Sequence, residues 1–263
     1  MGVFYETLPP SLKPWILAQK MLWVGSAPLA SDGHINISPK GGQHFGIVDE
    51  RTFWFMDLTG SGIETTSHMH EPGNGRICVM FMAFEGPPRI VRIWGTGRVL
   101  ENGTGEFEGW VGREKVKTIP GTRSIIIVDI HQVATSCGFS VPFYEFKGWR
   151  NTLNEFFEKK DKAYKNGKEE ESMDRYWAYK SQLSIDGLPA MKRGFAYAQK
   201  HGVAPLKKMI GPYAPKAPRT LNTVSVMQLV MVGVLSFVIG VLMAVSLVQP
   251  EVIRRIQAKE GLL

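Results

Sequence analysis

Apolar and polar positions alternate with a period of two in several short runs along the first half of the chain. The runs are separated by clusters of glycine, proline and serine, an arrangement typical of antiparallel β-strands joined by turns. Six strands are predicted in this way, at residues 21–29, 34–38, 52–58, 76–84, 89–100 and 124–134. Their spacing favours an antiparallel barrel or sandwich over a parallel sheet with helical crossovers.

Helical patterns occur between these strands and after them. The predicted helices span residues 11–19, 61–71, 103–115, 151–163 and 169–181. Residues 203–222 carry four prolines and several cations, a composition typical of an extended linker. We therefore predict a β-domain at 1–150, a helical extension at 151–202 and a basic, proline-containing linker at 203–222.

The segment 223–248 differs from the rest because none of its 26 residues is charged. The apolar core of a bilayer is crossed by a helix of about 20 apolar residues. The segment is therefore predicted to be a single transmembrane helix, followed by a short tail at 249–263. A buried core helix is the alternative, but a core helix of this length usually keeps one polar face.

The net charge of +7 is unevenly distributed along the chain. Residues 1–146 hold 12 Lys/Arg against 14 Asp/Glu, whereas residues 147–219 hold 16 against 8. A basic segment before an apolar one indicates attraction to an anionic membrane surface, although mixed Lys and Glu over 151–180 also fit solvated helix faces. No nucleic-acid-binding motif is present, so nucleic acid is not predicted as a partner.

Cysteine usage and the first residues of the chain bear on its compartment. Cys78 and Cys137 are the only cysteines, which is unlike a secreted disulfide framework. The stretch MGVFYETLPP lacks the basic start and apolar run of a signal peptide. We expect a membrane protein with a single-pass C-terminal anchor and its barrel in the cytosol.

The motif HINISPKGG at 34–42 ends a predicted strand with three hydrogen-bonding side chains, those of Asn36, Ser38 and Lys40. Pro39 keeps Ser38 extended, and the two glycines that follow permit a tight turn. Side chains of this kind suit an anionic or heteroaromatic ligand. An ordinary edge strand with exposed polar residues is the alternative.

The motif LTGSGIETTSH at 58–68 combines glycines and hydroxyls at the start of a predicted helix, a pattern that can form a backbone nest for phosphate. His68 and His70, two residues apart on that helix, would point in different directions, so no metal site is predicted. The stretch GTG at 95–97 lacks the third glycine of a dinucleotide fingerprint and is interpreted as a bulge or bend within a strand.

In their order, these motifs resemble the pyridoxamine 5′-phosphate oxidase-like family, the FMN-binding split barrels. The resemblance covers about residues 11–155 and rests chiefly on NISPKG and CGFSVP, with TFWFMDL, GSGIETTSHMHEPGNGRICVMF and PPRIVRIWGTGRV between them. It implies a mainly β protein, a six-stranded antiparallel split β-barrel with short helices. It also implies a homodimer with FMN at the subunit interface.

The resemblance further implies which residues bind the cofactor. Contacts to the flavin are assigned to Asn36, Ser38 and Lys40. The turn that binds the phosphate is assigned to Ser61, Gly62, Thr65 and Thr66. Arg92 and Trp94 are weaker candidates on a strand near the same site. The implied function is that of a membrane-anchored FMN-dependent oxidoreductase acting on an unidentified small molecule. No catalytic acid or base is predicted.

The sequence departs from the family's oxidases in one respect. Those enzymes place Arg and Lys in both motifs to hold phosphates, whereas this chain keeps only Lys40 there. The departure favours an alternative function, a non-catalytic cofactor-binding or interaction module of the same fold on a membrane surface. Such a module could hold flavin, deazaflavin or haem.

Overall fold

The first half of the chain forms one curled antiparallel sheet in the computed structural model, which describes residues 2–215, 230–244, 246 and 255. Across the sheet the strand order is β3-β2-β6-β7-β8-β5-β4, and β1 pairs with the end of β8. The strands are β1 (Val3–Tyr5), β2 (Met21–Ser26), β3 (Asn36–Gly41), β4 (Phe45–Asp49), β5 (Thr52–Leu58), β6 (Arg76–Met82), β7 (Ile90–Glu101) and β8 (Thr122–Ser136).

Six helices accompany the sheet within residues 2–215. They are α1 (Lys13–Ala18), α2 (Glu64–His70), α3 (Gly105–Glu114), α4 (Thr152–Lys165), α5 (Met173–Lys180) and α6 (Lys192–His201). Short 3₁₀ turns precede α1 and α5, at Pro10–Leu12 and Glu169–Glu171. The predicted helices are present with shifted ends, and α6 is an addition to them.

The mainly β prediction is confirmed, but the predicted count of six strands is wrong for this part of the chain. The described residues form eight strands, because β1 and β4 are also paired. Those two strands have three and five residues, too few to show a period of two convincingly. No ladder joins β3 to β4 among the described strands, so the sheet curls into a half-barrel that is open on that side.

The inner face of the curled sheet holds the main core, in which alternate residues of neighbouring strands meet. Phe53 and Phe81 pack edge to face with ring centroids 5.9 Å apart. A second cluster covers the outer face of β5 and β8, where Trp110 of α3 packs against Trp54 at 5.3 Å. Both faces of β5 are therefore covered, and this makes it a rigid wall for the site described below.

The predicted bend at GTG is confirmed by a register shift between Trp94 and Gly95 in the β7–β8 ladder. A side chain at Gly95 would place its Cβ 2.5 Å from the carbonyl oxygen of Asp129. Only glycine lets the two long strands approach this closely.

The helical extension packs directly on the half-barrel. Trp177 of α5 is buried, and its Nε1 donates to Thr59 Oγ1 at 2.9 Å. The carboxylate of Glu101 accepts from the backbone N–H groups of Lys192 and Arg193 at the start of α6, at 2.8 and 3.1 Å. The extension therefore belongs to the same compact unit as the sheet, residues 1–221, and the predicted boundary after residue 150 lies inside that unit.

The predicted transmembrane helix at 223–248 lies only partly within the described residues. Residues 230–244 are helical, and the second compact unit spans 222–263. Of the helices in the described part of the chain, none is both long and apolar enough to cross a bilayer, so the span is not confirmed. The predicted linker is described only to residue 215, without regular structure, and of the tail only Arg255 is described.

Candidate functional site

A polar cavity of about 310 Å³ lies where β3 meets the turn between β5 and α2. Hydroxyl groups and backbone from that turn form one wall, and the end of β3 forms the other. The residues around it are Ile37, Ser38, Pro39, Lys40, Leu58, Gly60, Ser61, Gly62, Glu64, Thr65 and Arg123.

Most of the residues predicted to bind a cofactor come together at this cavity. The structure places Ser38, Lys40, Ser61, Gly62 and Thr65 on its wall. Asn36 joins them, because its Nδ2 donates to Ser38 Oγ and to Thr65 Oγ1, both at 3.2 Å. The two motifs, 29 residues apart in sequence, therefore share one hydrogen-bonded cluster.

Thr66 lies behind the cavity wall. Its side chain is buried, and its Oγ1 donates to Asp57 Oδ2 at 3.4 Å. It therefore supports a charged group beneath the cavity, and it is not among the residues that line the cavity.

Arg92 and Trp94 are not among the residues that line the cavity, and they lie on the sheet face opposite to that of Ser38. Ser38 pairs with Val24, Val24 with Val79 and Val79 with Ile93. Directly paired residues share a face, and neighbours along a strand alternate between faces. The neighbours of Ile93 in β7 therefore point away from Ser38.

Asp57 forms the charged centre beneath the cavity. Its side chain is 1% exposed and pairs with Lys40 Nζ at 2.8 Å and with Arg123 Nε at 2.6 Å. Burial by itself would raise the pKa of Asp57, but the charges and hydrogen bonds of Arg123 and Lys40 hold that pKa well below its usual range. Asp57 is therefore ionised, and two cations share one buried carboxylate.

Arg123 is a site residue that the sequence analysis missed. In the β5–β8 ladder Asp57 pairs with Ser124 and Leu58 with Thr122, which leaves Arg123 as an extra residue on β8. Such a bulge redirects a side chain, and here the guanidinium meets Asp57. The available signal was the single cation Arg123 directly before the apolar run SIIIV. The predicted strand, at 124–134, began after this residue, whereas β8 begins at Thr122.

The predicted phosphate nest at the start of α2 is already occupied by a carboxylate of the chain. The helix begins at Glu64, whose Oε2 accepts from the backbone N–H of Ile63 at 2.9 Å. Its Oε1 accepts from the N–H of Ile185 in the extension at 3.3 Å. A helix N-terminus attracts anions, and Glu64 takes that place. An anion in the cavity would therefore be held by side chains rather than by the end of α2.

A larger cleft of about 1510 Å³ adjoins the polar cavity and shares Pro39, Lys40, Leu58 and Gly60 with it. Its lining includes six aromatic side chains, those of Trp15, Trp23, Phe84, Tyr144, Phe146 and Trp149. The Nε1 of Trp23 is buried and has no hydrogen-bond partner among the described residues. The cleft thus has apolar walls that suit a planar ring, together with a donor that a ligand acceptor can satisfy.

His44 is the other group on the cleft that sequence reasoning did not single out. It follows the turn at Gly42, whose φ of +87° and close approach to the His44 ring both require glycine. Burial lowers the pKa of His44, so its imidazole is neutral at pH 7 and can accept a proton.

One relative among known proteins carries the name of the family that the motifs resemble. The pyridoxamine 5′-phosphate oxidase family protein ustO of Aspergillus flavus is 43% identical to the chain over 147 residues. The chain is therefore similar in sequence to one member of that family. The resemblance predicted from the motifs is thereby confirmed, although the chain matches no protein-family model. The match covers 55% of this chain and 58% of the relative, so it spans little more than half of either protein.

Several solved structures are similar to about half of the chain. A putative pyridoxamine 5′-phosphate oxidase of Lactobacillus delbrueckii is 13% identical, with a TM-score of 0.36 over 49% of this chain and 94% of that one. An FAD binding protein of Mycobacterium smegmatis is 14% identical, with a TM-score of 0.35 over 49% and 96%. HupZ of Group A Streptococcus is 18% identical, with a TM-score of 0.34 over 48% and 91%. The likeness to the family rests on the sequence relative and not on these structures.

Proposed function

We propose that the chain binds FMN, with the ring in the aromatic cleft and the phosphate in the polar cavity, and acts as an oxidoreductase on a small organic molecule. The observation that carries this proposal is the continuity of the two spaces, which meet at Lys40 in a relative of the pyridoxamine 5′-phosphate oxidase family.

The groups around the two spaces fit such a cofactor. The hydroxyls of Ser38, Ser61 and Thr65 can donate to phosphate oxygens, and Lys40 and Arg123 supply positive charge beside them. In the cleft, Trp23 Nε1 is a donor that a ring acceptor can use. Bound flavin would supply hydride chemistry, and these side chains would bind and orient it. The neutral imidazole of His44 would act as a proton acceptor.

The size of the cleft indicates room for a second molecule. Ligand pockets in proteins are typically about 300–1,000 Å³ in volume, and this cleft exceeds that range at about 1510 Å³. A substrate could therefore lie beside the ring, within the same aromatic walls.

The absorption spectrum of the purified protein tests the proposal. An FMN protein should show flavin bands, and apoprotein should regain them with added FMN. A haem or deazaflavin spectrum would instead support the alternative cofactors. Protein that is colourless and takes up no flavin would contradict the proposal.

The alternative function, a binding module without turnover, is favoured by the carboxylates of Asp57 and Glu64, which offset the cations around the cavity. Reduction of the bound flavin distinguishes the two functions. An oxidoreductase should pass electrons from NADH or NADPH, or from an added organic donor, to the flavin and then to an acceptor. Flavin that stays oxidised with every donor would support the module.

Replacing Lys40 with methionine is expected to weaken FMN binding by about 1.5–3 kcal/mol, or about 10- to 100-fold, because a charge-assisted contact is lost. Riboflavin, which lacks the phosphate, should bind the variant as it binds wild type. Fluorescence titration measures both, and Lys13→Met, at an exposed position of α1, is the matched control. An FMN affinity of Lys40→Met equal to that of wild type would show that Lys40 does not bind the phosphate.

We propose that residues 223–248 anchor the protein to a membrane, with the barrel in the cytosol. Two observations support this anchor. The segment carries no charge, and large apolar side chains of its described helix, such as Val232, Leu235 and Phe237, are exposed within their own unit. Apolar side chains exposed on many sides of one helix are typical of a helix that lipid surrounds.

We also propose a homodimer, the assembly that the family resemblance implies. Ile35 and Ile37, at the edge strand β3, are 77% and 68% exposed. Unpaired strand edges with exposed apolar side chains are usually covered by another chain. A second copy placed against β3 would lie beside the polar cavity.

A truncated chain that ends at Thr220 tests both the proposed membrane anchor and the proposed homodimer. It should move from the membrane fraction to the soluble fraction and should still bind flavin. Light scattering at micromolar concentration should give twice the mass of one chain. Truncated protein that stays with membranes would contradict the anchor, and a single-chain mass would contradict the dimer.

A further inference from the structure

The extension loop, residues 181–191 between α5 and α6, has a shape that its own hydrogen bonds maintain. Ser184 N–H donates to Leu188 O at 2.9 Å, and Leu188 N–H donates to Ser184 Oγ at 3.1 Å. Gly187, between these two residues, has a φ of +76°, which glycine adopts without strain. The loop can therefore transmit the position of the extension to whatever its outer residues contact.

One wall of the polar cavity, the start of α2, is a contact of the extension loop. Ile185 N–H donates to Glu64 Oε1 at 3.3 Å, and Ser67 Oγ donates to Leu188 O at 3.4 Å. Glu64 lines the cavity, and its carboxylate would repel an anion there. A hydrogen bond from a backbone N–H stabilises the charged carboxylate and offsets part of that charge. The loop therefore fixes this wall and reduces its repulsion of an anion.

The next residue of the loop, Asp186, holds the other wall. Its side chain is 4% exposed, its Oδ2 accepts from His34 N–H at 2.8 Å, and its Oδ1 lies 2.6 Å from His34 Nδ1. His34 stands two residues before β3, the strand that carries Ser38 and Lys40. Among the described strands β3 has a ladder only to β2, so contacts outside the sheet decide how firmly its free side is held.

We propose that the extension loop is a clamp that holds the two walls of the polar cavity at the spacing a phosphate group needs, with Asp186 as a positioning residue. Ile185 and Asp186 are consecutive and bond to one wall each, so the loop sets the distance between the walls. Walls that are ordered before the ligand arrives reduce the cost of binding. This inference rests on the proposed FMN binding. It gives the helical extension, which lies almost wholly outside the residues that resemble the family, a role in ligand affinity.

The test compares Asp186→Ala with Asp174→Ala in the full chain. Asp174 is an aspartate of the same extension, but its ion pair with Arg193 joins α5 to α6. FMN affinity should fall by about tenfold or more in Asp186→Ala and stay within about twofold of wild type in Asp174→Ala. Riboflavin, which lacks the phosphate, should bind both variants within about threefold of wild type. Asp186→Asn keeps an acceptor for His34 N–H and should recover most of the FMN affinity.

Inorganic phosphate tests the clamp without flavin. Phosphate should raise the melting temperature of wild type and of Asp174→Ala, and should raise that of Asp186→Ala much less. If wild type takes up no flavin yet shows this phosphate effect, the proposed FMN function fails while the clamp stands. A phosphate effect of equal size in wild type and Asp186→Ala would overturn the clamp, and a wild type that responds to neither ligand would reject both proposals.

Three results with flavin would also overturn the clamp. Equal losses of FMN and riboflavin affinity in Asp186→Ala would show that the residue only maintains the fold. Wild-type FMN affinity in that variant would show that the loop does not set the spacing of the walls. An FMN affinity of Asp186→Asn as low as that of Asp186→Ala would show that the charge acts, and not the hydrogen bond that positions β3.

A second variant keeps the inference testable if Asp186→Ala does not fold. His34→Ala removes only the contact to His34 Nδ1 and changes a side chain that is 41% exposed. It should lower FMN affinity by about threefold and leave riboflavin affinity unchanged. Selectivity for FMN over riboflavin equal to that of wild type would reject the inference.

Discussion

Replacing Asp57 with asparagine is expected to lower the free energy of unfolding by about 3–5 kcal/mol, because it leaves two cations beneath the cavity without their shared carboxylate. Arg123 is 4% exposed and Lys40 is 21% exposed, so water replaces the lost charge only in part. Urea denaturation measures the effect. Asp129→Asn is the matched control, since Asp129 is 61% exposed and lies 4.0 Å from Arg98. Its expected loss is below about 1 kcal/mol.

The same carboxylate makes the stability of the protein sensitive to acid. The pKa of Asp57 is lower in the folded chain than in the unfolded chain, so the unfolded state binds more protons as the pH falls. The contribution is complete above the unfolded pKa, about 3.9, and is lost progressively below it. The difference between wild type and Asp57→Asn should therefore shrink in acid. A constant difference down to pH 2 would contradict the ionised state of Asp57.

Replacing Trp177 with alanine is expected to cost about 3–5 kcal/mol and to loosen the extension from the barrel. The side chain is 2% exposed, its Nε1 bonds to Thr59, and the guanidinium of Arg193 lies 5.2 Å from its ring. The variant leaves a cavity and removes the donor to Thr59 Oγ1, whose hydroxyl still donates to Gly121 O at 2.6 Å. Denaturation and limited proteolysis of residues 151–202 measure the two consequences.

Two further variants separate the causes of that loss. Trp177→Phe keeps most of the buried area but removes the hydrogen bond, so it should cost about 1 kcal/mol plus a small packing loss. Trp149→Ala, at a site 42% exposed, should leave stability nearly unchanged. An extension in Trp177→Ala that resists protease as it does in wild type would show that other contacts fix it.

The strands were predictable wherever the alternation ran for six residues or more. The prediction for β5, at 52–58, coincides with its observed bounds Thr52–Leu58. Strand β4 was missed because its five residues follow a glycine-rich turn, and α6 because Gly194 interrupts its pattern. That glycine has a tertiary cause, since a Cβ there would lie 2.9 Å from the carbonyl oxygen of Trp177.

The site was predictable only where its residues are local in sequence. The strand period of NISPK singles out Ser38 and Lys40, whereas Thr65, in the segment after β5, was predicted from the family resemblance. Arg123 reaches the cavity through a bulge. The bulge leaves no periodic signature in the sequence, because the pairing of β5 with β8 sets the position of Arg123. Arg92 and Trp94 stay predictions. They lie outside the lining of the polar cavity, and the pairings of Trp23 with Met80 and of Met80 with Arg92 put Arg92 on the sheet face of Trp23.

Side chains connect the two edges of the half-barrel on its open side, whereas backbone ladders connect the neighbouring strands elsewhere in the sheet. Lys40 of β3 reaches across to Asp57 of β5, and no ladder joins β3 to β4 among the described strands. A bound ligand does not compete with the backbone hydrogen bonds of a ladder, but an anionic ligand competes for the lysine of an ion pair. A phosphate that binds Lys40 weakens the ion pair between Lys40 and Asp57. Phosphate binding is therefore coupled thermodynamically to local opening of β3. In amide hydrogen exchange, the protection of β3 would therefore report whether the cavity is filled.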